Sequence, residues 1–310
     1  MAAKVFKTIE EQLDILKSKN LTITDYDKAK TILLRENYFF LNGYRSPFLV
    51  TGSKRFLDGA TFDELHALFT FDRYFRNIIF KNILIVENNY KSIFSYVLSR
   101  KYGYKEKDYL NTDNFDRNRE KSRQINDLIR KVKRQIRING YQHSATSHYI
   151  NNYGYIPLWV GVKVLSFGLM GELFSILKQE DKEEIASYYD NVGPEDLEDY
   201  LSILSNYRDL CAHEDILYNH ITQKSINDSK IHQDLGIPKV DDEYIYGKND
   251  IFALIIILKY VLTFSDFKMM MNEIQYEIDW LGSKLKSIDV QKILFRMGFP
   301  ENYRQISYIE

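Results

Sequence analysis

The chain has 310 residues, 45% hydrophobic and 15% aromatic, enough to bury a substantial core. Its formal net charge of −1 excludes polyanion binding through overall charge, so nucleic acid would have to meet a local patch. One cysteine, Cys211, excludes an internal disulfide and a cysteine-rich zinc site, and fits a reducing, cytoplasmic setting.

The N-terminal stretch MAAKVFKTIEEQLDILKSKN has no apolar h-region, so no signal peptide is expected. Residues 5–19 read as an amphipathic helix with Phe6, Ile9, Leu13 and Leu16 on one face. Thr24, Asp25 and Asp27 look like the cap and acidic first turn of a helix reaching about Phe40. Gly43, Pro47, Gly52 and Gly59 then punctuate a loop-rich stretch. Thr61, with Asp63 and Glu64 behind it, caps a long helix through about Arg100, with Leu65, Leu68, Phe69, Phe75, Ile79, Ile83 and Val86 at helical spacing. A polar connector follows.

Residues 117–137 hold nine cations against Glu120 and Asp127: Arg117, Arg119, Lys121, Arg123, Arg130, Lys131, Lys133, Arg134 and Arg137. Ile125, Leu128, Ile129, Val132 and Ile136 let one face of this segment pack while the other stays basic, either as a solvated face or as an RNA contact. GYQHSATSHY, with His143 and His148, reads as a polar loop. Helices are expected over 157–178, 181–189 and 194–213. After a variable 221–249, an apolar helix near 251–264 and a longer one around 266–287 are expected to complete the bundle. The apolar run Ile251–Leu262 is too short to span a bilayer and contains Lys259, so no membrane partner is expected. Strand-like alternation is scarce, and with 14 Gly and 5 Pro there is no clear linker. The fold class is all-α, in one domain over 1–310.

Chemistry is concentrated in Asn206-Tyr207-Arg208-Asp209-Leu210-Cys211-Ala212-His213, an Arg and a His five positions apart late on a helix. Five residues advance about 500°, which leaves the two side chains roughly 140° apart. They converge on one phosphate only where the helix end bends or a second copy contributes. The spacing alone is weak, since a chain of this size supplies about one match by chance. A second match, Arg137 to His143, is interrupted by Gly140. A polar network at a helix end remains the alternative for Arg208 and His213, and small-residue packing the expectation for Cys211. No metal-ligand cluster is visible, and no cofactor is implied.

RDLCAHEDILYNH, Arg208 to His220, resembles the signature R-N-x-C-A-H-H-x-R-L-W-N of the Abi-like abortive-infection family. Arg208, Cys211, Ala212, His213, Leu217 and Asn219 match it. Tyr218 stands for the Trp, Asp209 for the Asn, Glu214 for the second His and Ile216 for the Arg. Upstream, IPLWVGVKVLSFGLMGELFSIL resembles the family's P-x-W…E-x-x-S-x-G helix, with Pro157, Trp159, Ser166 and Gly168 in place and Lys163 where Glu is usual. The 56–92 segment keeps Gly59, Phe62, Asp72, Arg76 and Glu87 of a further block, and LNGYRSPF resembles the G-Y-x-x-P-F loop. The likeness is strongest over 38–220.

The resemblance implies a HEPN-type helical bundle with additional helices, paired across a two-fold axis, in a phage-defence protein that binds RNA. A small noncoding RNA is one such partner. Active relatives are metal-independent endoribonucleases, which assigns catalysis to Arg208 and His213, with Asp209 orienting one of them. Arg76, Glu87, Asn219 and His220 become supporting residues, and the 117–137 cations RNA contacts. A neutral His can accept the proton of the RNA 2′-OH, and Arg can hold the phosphate in two-pronged fashion. A non-catalytic RNA-binding module and a helical scaffold for a protein partner stand as alternatives. A scaffold has no need of the basic segment.

Overall fold

A computed structural model describes residues 5–116 and 121–309. The described chain is all-α apart from a two-residue hairpin, Lys239–Val240 against Glu243–Tyr244. Its turn residues Asp241 and Asp242 both have positive φ, the twist that suits a tight hairpin.

The spine is a 41-residue helix, Phe62–Tyr102, whose sequence contains neither Gly nor Pro. Gly59, at φ +81°, turns the chain into its cap. Thr61 and Glu64 form the expected capping box: Glu64 N–H donates to Thr61 Oγ1 at 3.1 Å, and Thr61 N–H to Glu64 Oε2 at 3.0 Å. The buried Glu64 carboxylate also accepts from the backbone N–H groups of Lys286 and Ser287, at 2.7 and 2.6 Å, so one side chain starts the helix and pins the distant C-terminal turn.

Three helices pack on this spine and on one another: Pro194–Ala212, which carries the Arg–His motif, the apolar Ile251–Val261, and Phe264–Lys284. Lys81 to Glu273, 2.7 Å, ties the last of these to the spine. Every side chain of the apolar helix from Ile251 to Leu258 is buried. Removing that much apolar surface from water is the dominant stabilising term for such a helix, at about 25 cal/mol per Å². No described helix is long and apolar enough to cross a membrane. One buried cluster draws in residues from Leu13 to Ile306.

Several boundaries depart from expectation, each for a local reason. The first helix is Ile9–Ser18, because Thr8 and Glu11 form a capping box there. Phe6 therefore lies outside the helix and is 87% exposed rather than on its apolar face. The second helix, Tyr26–Glu36, is capped by Asp25 and stops at Asn37, whose φ is +65°. A short helix Tyr38–Asn42 and a 3₁₀ turn Gly43–Phe48 follow, in place of one helix to Phe40. The expected 157–178 helix is broken into Leu158–Gly161, a 3₁₀ turn Val162–Val164, and Phe167–Ser175. Leu165 is extended, and the Ser166 hydroxyl caps the new helix by accepting from Leu169 N–H at 3.3 Å. Residues 143–153 do not form a loop: Ser144–Tyr153 is a helix, with His143 at its cap and His148 inside it.

Candidate functional site

The motif helix ends where the chemistry begins. His213 is its C-cap, at φ −93° and ψ 4°, and Glu214 follows at φ +58°. Glu214 N–H donates to Cys211 O at 3.3 Å and Asp215 N–H to Leu210 O at 3.2 Å, a Schellman closure built on a residue other than glycine. The His213 imidazole is exposed and makes no hydrogen bond among the described residues. The cap thus presents a ring nitrogen to whatever meets this end of the helix.

One turn earlier, Arg208 is about a third exposed, with its Nε 3.7 Å from Glu87 Oε2 on the spine. Neither atom has a hydrogen-bond partner, although both are buried. Glu87 Oε1 accepts from Lys91 Nζ at 2.6 Å, and Lys91 also donates to Leu165 O at 2.7 Å. The buried carboxylate is therefore already neutralised by Lys91, and Arg208 is a second cation beside it that makes no hydrogen bond to it. The Phe80 ring lies 5.9 Å from its guanidinium carbon. Arg208 Nη1 donates to Asp209 Oδ1 at 3.3 Å. Asp209 thus holds Arg208; towards His213 it offers only its backbone carbonyl, which accepts the His213 N–H at 3.0 Å. Arg208 and His213 share no hydrogen bond.

Residues 215–218 are fixed by a buried network that the sequence did not reveal. Asp72 Oδ1 accepts from Tyr218 N–H at 2.7 Å. Its Oδ2 accepts from Leu217 N–H at 3.0 Å, Tyr44 Oη–H at 2.7 Å and Arg76 Nη1 at 2.7 Å. Arg76 also donates to Asp215 O at 3.1 Å. Burial pushes the Asp72 carboxyl up, while Arg76 and the N–H and O–H donors pull it back. Tyr218, in the Trp position of the signature, stacks on Tyr44 with ring centres 5.6 Å apart. Arg76 therefore holds the turn after His213 and makes no hydrogen bond to Arg208 or His213 among the described residues, whereas Glu87 faces Arg208 directly. Asp72 and Tyr44 were visible only as matches within the resembling blocks; nothing in their local pattern marked them as anchors.

His220 is half-buried, packs edge-on against Tyr207, and lies 2.9 Å from Asn206 Oδ1, so it ties the outgoing chain back to the motif helix. Burial lowers its pKa below the ordinary imidazole range. Asn219 is exposed. Burial pushes the Cys211 thiol up to about 12, which makes it a packing residue and no nucleophile at neutral pH.

The basic segment is the helix Lys121–Gly140. Ile125, Leu128, Ile129, Val132 and Ile136 are buried, while Arg123, Arg130, Lys131, Lys133, Arg134 and Arg137 are exposed. Arg130 pairs with Asp127, and Lys131 with Glu172 at 3.1 Å. The other four make no ion pair among the described residues. Arg117 and Arg119 lie outside those residues, as does the Lys121 side chain. A short relay links this helix to the motif. Gln135 Oε1 accepts from Ser166 N–H at 3.3 Å, the neighbouring Leu165 O accepts from Lys91, and Lys91 pairs with Glu87 beside Arg208. Lys163, which stands where Glu is usual, donates to Asn88 Oδ1 at 2.8 Å.

The sequence model of a protein family described as Abi-like protein matches residues 31–219. That stretch takes in Tyr44, Asp72, Arg76, Glu87, Arg208 and His213, and starts earlier than residue 38, where the likeness read from the motifs began. No curated protein and no solved structure matches the chain.

Proposed function

The chain belongs to the Abi-like protein family, and from that premise we propose that it is an abortive-infection phage-defence protein that binds RNA and cleaves it without a metal. The observation that carries this reading is the end of the motif helix. An exposed His213, whose ring makes no hydrogen bond among the described residues, stands one turn from Arg208 and just before a turn clamped by Asp72 and Arg76.

In this reading RNA supplies its own nucleophile. His213 Nε2 or Nδ1 takes the 2′-OH proton as O2′ attacks phosphorus. Arg208 hydrogen-bonds the phosphate oxygens as their charge grows. The P–O5′ bond breaks, and the 5′-oxygen leaves with a proton from a second imidazole. One chain offers one such His at this turn, so a homodimer with both motif helices facing one cleft supplies the other, through the partner subunit's His213. The packing of three helices on the spine, four helices in all, supports a HEPN-type bundle.

Cleavage is expected to persist in EDTA and to leave a 2′,3′-cyclic phosphate. A 2′-deoxy sugar at the cut site should abolish it, because the attacking oxygen is gone. A strict Mg²⁺ requirement, or equal cleavage of DNA, would refute the mechanism. RNA bound and left intact would make the protein a binding module instead.

The cations of the basic helix are the phosphate contacts in this reading. Changing Lys133, Arg134 and Arg137 to Glu should weaken binding across sequences and reduce the slope of log affinity against log salt by about 2, near 0.7 per lost contact on a single strand. An unchanged slope, measured by anisotropy across a salt series, would return that face to ordinary solvation.

A further inference from the structure

Six aromatic rings form a continuous surface ladder just beyond the C-terminal end of the basic helix. His148, Tyr149 and Tyr153 stand on the Ser144–Tyr153 helix, Tyr155 follows it, Tyr104 lies just past the spine helix, and Trp159 is on Leu158–Gly161. Each ring has a neighbour with centres between 5.3 and 6.4 Å apart, from His148 through Tyr149, Tyr153, Tyr155 and Tyr104 to Trp159. The Lys105 ammonium lies 5.0 Å from the centre of Tyr155 and 5.9 Å from that of Tyr104, and makes no ion pair among the described residues.

Four of these rings, His148, Tyr153, Tyr104 and Trp159, are exposed, while Tyr155 is half-buried and Tyr149 packs partly against the core. Thr146, Ile156, Leu158 and Val160 from the same segments are buried and fill the interior. Tyr153, Trp159 and Tyr104 remain 58%, 48% and 41% exposed. A contiguous exposed aromatic patch marks a contact surface. The rings are tilted against one another, by 35° between Tyr149 and Tyr153 and 37° between Tyr104 and Trp159, so they do not saturate each other's faces.

The surrounding charge selects the occupant. The helix that leads into the ladder carries Arg123, Lys133, Arg134 and Arg137 without acidic partners, and Lys105 adds a cation over the rings themselves. An apolar protein surface gains nothing from unpaired cations. A single-stranded nucleic acid needs both: phosphates for the cations and π-faces for the rings. We propose that this ladder is a stacking subsite for unpaired bases of single-stranded RNA, with the basic helix tracking the backbone that leads into it. The inference rests on the RNA reading above. It adds that the strand must be unpaired, since a duplex buries its base faces, and that recognition is tolerant of base identity.

The test uses the full chain carrying His213→Ala, so that RNA is not consumed. Binding is measured by anisotropy with an oligouridine of about 12 nucleotides, an abasic ribose-phosphate strand of the same length, and a duplex. The oligouridine should bind more tightly than both of the others. Tyr153→Ala and Trp159→Ala should each weaken oligouridine about ten-fold and leave the abasic strand unchanged. Tyr153→Phe, which keeps the ring, should retain affinity and so separates stacking from loss of fold. The sequence has two tryptophans, so Trp280→Phe leaves Trp159 as sole reporter. Its emission should be quenched by oligouridine and not by the abasic strand.

Equal binding of oligouridine and abasic strand would remove the ladder while leaving the RNA reading standing. Absence of binding to either strand would overturn both. Self-association lost in Tyr153→Ala with RNA binding unaltered would assign the rings to a second copy of the chain and overturn the proposal.

Discussion

Alanine at His213 is expected to lower RNA cleavage at least about 100-fold, because the 2′-OH proton loses its acceptor. Alanine at Arg208 should cost a similar factor through lost stabilisation of the phosphate charge. Neither change should unfold the protein. The His213 ring is exposed and makes no hydrogen bond among the described residues, and Glu87 keeps its 2.6 Å contact with Lys91 when Arg208 is gone. Single-turnover cleavage, read beside thermal unfolding of each variant, checks both halves of the expectation. Parental activity in either variant sinks the assignment, and so does inactivity that merely follows unfolding. Mixing the two inactive proteins extends the test to the dimer. If Arg208 of one copy works with the partner's His213, the mixed dimer rebuilds one Arg–His pair and regains only the activity that survives without the second imidazole. If each site draws its Arg and His from one chain, mixing restores nothing.

The features of the fold that were legible in the sequence are those written locally. Thr61 and Glu64 announce the start of the spine, and an uninterrupted run without Gly or Pro carries it to Tyr102. The alternation of Ile125, Leu128, Ile129, Val132 and Ile136 with cations correctly gave the basic helix one buried and one exposed face. The boundaries that failed are those where a local hydrogen bond overrides a periodic apolar pattern. Leu165 and Ser166 sit inside an apolar run that reads as helix, yet the Ser166 hydroxyl restarts the chain as a cap. Asn37 ends a helix early by accepting a positive φ that β-branched residues resist.

At the site, motif context singled out Arg208 and His213, and the fold places Glu87, another residue of the resembling blocks, beside Arg208. Asp72 was not legible as an anchor. On its own helix it looks like an ordinary i, i+4 partner of Arg76. Its other partners, the N–H groups of Leu217 and Tyr218, lie 145 and 146 positions away in sequence. Only the folded chain brings them together.

Asp72→Ala is accordingly expected to destabilise the protein by about 3–5 kcal/mol, because it strands the Arg76 guanidinium in the interior. The same change removes the acceptor for the Leu217 and Tyr218 N–H groups, at about 1–3 kcal/mol for each group left unsatisfied. These contributions overlap and do not add simply. They separate in a double variant. Asp72→Leu with Arg76→Met replaces the buried ion pair with apolar groups of similar size, a change that is often neutral where only the pair is at stake. Here the double variant should recover the part due to the stranded charge and no more, since the two backbone N–H groups still lack an acceptor and Asp215 O has lost Arg76. Urea unfolding at constant m-value measures both variants against the parent. Cleavage is the second readout. The turn that Asp72 holds begins two residues after His213, so Asp72→Ala and the double variant should both remain inactive under conditions where the protein is fully folded. Full recovery of stability and activity in the double variant would show that the pair matters only as a buried charge and that the turn stands without it.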